Sequence, residues 1–106
     1  MMIVTMNDLP GYEIEEVMGE VFGLTVRSRN LFSQMGAAIQ SAFGGELKGM
    51  TTMLADARMQ AISRLEEEAE AKGGNAIIAM RFDASELGTN WTEICAYGTA
   101  VRARKL

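Results

Sequence analysis

The chain has 106 residues, 48% of them hydrophobic and 23% charged, with no histidine and a formal net charge of −4. That length holds one compact domain, residues 1–106, and the composition is that of a globular chain, not a disordered or fibrous one. The acidic balance removes the attraction on which non-specific nucleic-acid binding rests, and no segment approaches the roughly 20 apolar residues of a membrane span.

The opening MMIVTMNDLPGYEIEE has no basic leader ahead of an apolar run. The single Cys95 has no partner for an internal disulfide, so a soluble protein of the reducing cytoplasm is expected. Pro10 and Gly11 mark a turn after a short N-terminal arm. Residues 12–27, YEIEEVMGEVFGLTVR, read as a long strand. Counting every second residue puts Tyr12, Ile14, Met18, Phe22, Leu24 and Val26 on one face, interrupted by Glu16 and Glu20, with Gly19 and Gly23 on the other. The interruptions predict a bulge near Gly19.

Residues 30–43, NLFSQMGAAIQSAF, place Leu31, Met35, Ala38, Ile39 and Ala42 at helical spacing behind a capping Asn30, and Gly44 and Gly45 stop that helix. A longer helix is predicted over 50–72, where the chain has no glycine or proline. Its buried stripe would hold Met50, Met53, Leu54, Ala57, Ala61, Leu65 and Ala69, with Asp56, Gln60, Ser63, Glu66, Glu67 and Glu70 towards water. The alanines imply close packing against a sheet, and Gly73 and Gly74 end the helix.

Two strands follow, 75–83 and 91–103, joined by the polar loop ASELGTN as an antiparallel hairpin. In the last strand Thr92, Ile94, Ala96, Gly98, Ala100 and Arg102 share one face, small enough to lie under a helix. Trp91, Glu93, Cys95, Tyr97, Thr99 and Val101 then turn to the opposite face. The expected fold is α+β, a small antiparallel sheet covered on one face by helices. Its second face is too apolar to leave in water, and oligomerisation is the natural remedy.

Few residues are candidates for chemistry. Cys95 admits two readings, a metal or redox thiol and the small buried hydrophobe that free cysteines usually are. Glu93, a carboxylate in an otherwise apolar strand, needs a partner if buried. Arg58 falls on the helix stripe beside Leu54, Ala61 and Leu65, and reads either as an ion-pair partner of Glu93 or Glu16 or as a contact to an anionic ligand. Trp91 and Tyr97 serve either to stack a planar ligand or to anchor a subunit interface. The nine methionines are explained by adaptable core filling, GGELKG at 44–49 lacks the spacing of a phosphate loop, and no catalytic triad exists without histidine. A non-enzymatic oligomer is the preferred reading. The alternatives are a metal-binding assembly and an enzyme whose site is shared between subunits. No cofactor is identified.

The pieces GGELKG, ARMQAISRLEEEAEAKGGNAI and AYGTAV occur within a pattern that resembles, over nearly the whole chain, the YbjQ family of small bacterial and archaeal proteins of unknown function. The resemblance implies a dodecin-subunit-like α/β sandwich that assembles as a ring, with a homopentamer the expected form. The family also carries a heavy-metal-binding label. A closed soft-metal site normally needs several thiolate or imidazole ligands, and this chain has one cysteine and no histidine. Only symmetry, bringing copies of Cys95 or Glu93 together around an axis, would supply such a site.

Overall fold

The computed structural model describes residues 1–28, 48–88 and 90–106. The elements follow in the order β1 (Met2–Ile3), β2 (Tyr12–Ser28), α1 (Lys48–Ala71), β3 (Ala76–Leu87) and β4 (Trp91–Lys105). The helix predicted over 30–43, its glycine stop and most of the GGELKG loop lie outside the described residues.

The strands form one sheet in the order β1-β3-β4-β2. Strands β3 and β4 make the expected hairpin, but residues 84–87 of the predicted loop continue the ladder, pairing Ala84 with Ile94 through Leu87 with Trp91. The ladder ends at Leu87, and Gly88 after it takes a φ of 71°. The sheet is also mixed, not purely antiparallel. The arm pairs in parallel with β3, Met2 opposite Ala76 and Ile3 opposite Ile77. An apolar arm has side chains to bury and backbone groups to satisfy, and pairing does both.

Beyond that pairing β3 bulges between Ile78 and Arg81, with Ala79 at a φ of 54°. The bulge turns backbone towards the arm: Ala79 N donates to Met6 O at 2.8 Å and Met80 N to Val4 O at 3.1 Å. It passes over Gly98, where an added Cβ would stand 3.0 Å from Ile78 O and 2.9 Å from the Ile77 side chain.

Helix α1 lies on the sheet through the predicted alanine stripe. Ala57, Ala61, Leu65 and Ala69 are fully buried against Val21, Ile77, Ile94, Ala96 and Ala100. Leu54 departs from the stripe and is 42% exposed. The helix ends as its glycines predict: Gly73 N donates to Glu70 O and Gly74 N to Ala69 O, both at 2.9 Å, with Gly73 at a φ of 86°. These two bonds satisfy carbonyls that have no partner within the helix.

Two register shifts in β2, at Ile14/Glu16 and Val17/Gly19, confirm the predicted bulge. Each inserts one residue, so together they restore the alternation: Tyr12 and Ile14 share a face with Phe22, Leu24 and Val26, while Met18 crosses to pack against the helix-side core. The helix covers the other face, where Val21, Gly23 and Thr25 are buried. The less apolar side of β2 is therefore the inner one.

Candidate functional site: the bare sheet face and the Arg58 cleft

Because α1 takes one face of the sheet, the other collects the remaining side chains of three strands. Register places Phe22 opposite Tyr97, Leu24 opposite Cys95, Val26 opposite Glu93 and Ser28 opposite Trp91. On the other side of β4, Arg81 faces Tyr97, Asp83 faces Cys95, Ser85 faces Glu93 and Leu87 faces Trp91. The predicted row Trp91, Glu93, Cys95 and Tyr97 thus lies on the side away from the helix, as its alternation requires. Phe22, Leu24, Val26, Leu87, Trp91 and Tyr97 are each between 36% and 50% exposed there. The lower end of the same face is closed by Leu9, Ala76 and Val101, with Tyr12, Ile14 and Ile78 packed on them.

Cys95 is half-buried at the centre of this surface. Burial pushes its thiol pKa above the ordinary 9.0, and the carboxylates of Glu93, Asp83 and Glu20 push it further the same way. A thiol that holds its proton is a poorer nucleophile and a poorer metal ligand at neutral pH. Among the described residues no group of three or more cysteine, aspartate or glutamate side chains is placed to hold a metal ion.

Arg58 differs from expectation. It is exposed on α1, with its guanidinium 5.0 Å from the centre of the Phe82 ring. Glu93 is on the opposite face of the sheet, and Glu16 is exposed on β2 at the far side of β4, so neither pairs with it within one subunit. Among the described residues the guanidinium makes no hydrogen bond or ion pair. The cation borders a cleft of about 470 Å³ between the helix and β3, lined by Leu54, Arg58, Phe82, Asp83, Thr92 and Ile94 among others. The exposure of Leu54 follows from this cleft: α1 sits over β2 and β4 and leaves the outer half of β3 uncovered.

Reading the sequence singles out Trp91 and Tyr97 but not Phe22, Leu24 and Val26, which complete the same surface. Their alternation was visible; which face the helix would leave bare was not. Phe82 also escaped notice, because only the packing of α1 brings it beside Arg58.

The architecture is that of a small α+β protein with one sheet face under a helix and the other open. The chain belongs to the YbjQ family, whose sequence profile, described as "putative heavy-metal-binding", matches residues 1–104. It is similar to a UPF0145 protein of Acidothermus cellulolyticus, 65% identical over 106 residues covering 100% of this chain and 98% of that one. A UPF0145 protein of Streptomyces coelicolor is 57% identical over 95% of both chains. Among solved structures, a protein of unknown function of the DUF74 family from Pediococcus pentosaceus has the same fold, with a TM-score of 0.60 and 18% identity over 98% of each chain.

Proposed function

We propose that this chain is the non-enzymatic building block of a homo-oligomer that closes through the bare face of its sheet. The form is a ring of dodecin-like subunits, with five copies the expected number, that binds a small ligand in its channel or intersubunit clefts. The observation that carries this reading is the inversion in β2: Phe22, Leu24 and Val26 stay about half exposed while Gly23 and Thr25 are buried. Burying apolar side chains is worth about 25 cal/mol per Å², so a surface that leaves its apolar residues outside is stabilised by covering them. Trp91 and Tyr97 supply the aromatic anchors common at such contacts. For the ligand, the free guanidinium of Arg58 over Phe82 favours an anionic group on an apolar body. The cytoplasm, which keeps Cys95 a thiol, is the compartment this reading takes.

The test is native mass spectrometry at micromolar concentration, with Leu24→Asp as the perturbation. Leu24 is 46% exposed, so the subunit fold should survive. A closed oligomer in the natural protein and a folded monomer in the variant are expected. A natural protein that is monomeric, or an oligomer indifferent to Leu24→Asp, would refute the reading.

The alternative is a metal-binding assembly. Asp83 directly across from Cys95, with Glu93 on the same face, favours it if two copies bring their sets together. Metal quantified on oligomer purified without chelator should then be stoichiometric and lost in Cys95→Ala; equal metal in both sinks it.

A further inference from the structure

Strand β2 is paired only through β4 among the described residues, so its other side is a sheet edge. An exposed edge of 17 residues is a template for another strand. From Glu20 to Leu24 this edge is occupied by side chains of α1 and of Lys72 just beyond it. Arg64 Nη1 donates to Leu24 O, Phe22 N donates to Glu68 Oε2 at 3.2 Å, and Lys72 Nζ donates to Glu20 O at 2.8 Å. Next in line, Arg27 Nη2 donates to Gln60 Oε1 at 2.7 Å. The two series are commensurate. Residues four apart on a helix advance about 6 Å, and residues two apart on a strand about 6.6 Å. Gln60, Arg64, Glu68 and Lys72 therefore form one row along α1 that follows β2 in the opposite direction. A further ion pair, Lys72 to Glu68 at 3.6 Å, ties the row together.

We propose that this row seals the edge of β2 against a strand from a second copy of the chain, so that copies meet through the sheet face and do not extend the sheet. The seal stands on the hydrogen bonds alone; only its consequence for where copies meet rests on the assembly reading above. Donor and acceptor types match the backbone position by position. Two cations take two carbonyls and one carboxylate takes the amide between them, which an incoming strand would otherwise satisfy.

The experiment replaces Arg64, Glu68 and Lys72 together by alanine, with Glu68→Ala alone as a milder variant and Glu67→Ala with Glu70→Ala as a control off the row. Amide exchange at Phe22 should become about tenfold faster in both row variants and stay unchanged in the control, the tenfold corresponding to loss of one hydrogen bond to a charged group. The triple variant should also grow open-ended, concentration-dependent species in analytical ultracentrifugation, and should do so even with Leu24→Asp added. Unchanged exchange at Phe22 in both row variants overturns the seal, as does an unchanged size distribution in a folded triple variant. If the triple variant unfolds, exchange in Glu68→Ala decides. If Leu24→Asp leaves the natural oligomer intact while the row variants behave as stated, the face reading fails and the seal stands.

Discussion

Gly23→Ala adds a single carbon at the point where helix and sheet come closest. Its Cβ would stand 1.9 Å from Ala61 O, 2.5 Å from Leu65 N and 3.0 Å from Ala61 C. Ordinary contact begins near 3.4 Å, so relieving the first clash alone asks for a separation of 1.5 Å (3.4 less 1.9). All three opposing atoms are backbone, and no side-chain end can swing aside. The helix has to lift as a body, which loosens Ala57, Ala61 and Leu65, all fully buried beside it. Overpacking a core costs about 1–3 kcal/mol, and with backbone on both sides the upper end, about 3 kcal/mol, is expected. That is a large share of the roughly 5–15 kcal/mol that holds a small domain folded. The assay is urea unfolding followed by circular dichroism at one fixed protein concentration, because association raises apparent stability. With a slope of about 1.5 kcal/mol per molar urea, the midpoint should fall by about 2 M. Val17→Ala, at a side chain 64% exposed, should stay within about 0.5 kcal/mol of the natural protein. A Gly23→Ala midpoint equal to that of Val17→Ala would refute the close approach of α1 to β2.

Other outcomes test the bulge and the thiol. Ala79 holds a φ of 54° in the β3 bulge, a conformation that costs a residue with a Cβ about 1–2 kcal/mol, so Ala79→Gly should raise stability by about 0.5–1 kcal/mol once glycine's extra chain entropy is subtracted; a loss in the same urea experiment would contradict the bulge. Alkylation of Cys95 should reach half its limiting rate at a pH above the thiol's ordinary 9.0, since burial first and Glu93, Asp83 and Glu20 after it raise the folded pKa. A half-rate at or below that value would overturn the assigned surroundings. The same shift has a sign in stability. Above the unfolded thiol's pKa the unfolded chain has lost a proton that the folded chain keeps, so this contribution is full below that pKa and declines as pH rises through the folded one. Cys95→Ala should remove that decline, and an identical pH slope in the variant would count against it.

The hairpin, the alanine stripe of α1 and its glycine stop were legible because each depends on local spacing: period two, period four and a residue free to take a positive φ. Phe22, Leu24 and Val26 were legible as one face of a strand, as was the row from Trp91 to Tyr97. Their exposure was not. The arm's parallel pairing with β3 joins residues at opposite ends of the chain and leaves no local signal in Met2 or Ile3. Arg58 looked like part of the stripe, yet it points over Phe82, because helical periodicity assigns a side chain only to within a broad sector. Nothing in the sequence singles out Glu68, and its bond to the Phe22 amide exists only because helix and strand pitches match over three turns.

By itself, then, the amino-acid sequence determined the long strand, the helix after residue 50, the hairpin and their alternating faces, since those follow from interactions within a few residues. Only the tertiary structure decided which face of β2 is buried. A helix can reach backbone contact only where the strand offers Gly23, so the smaller side went inward and the more apolar side was left for something else to cover.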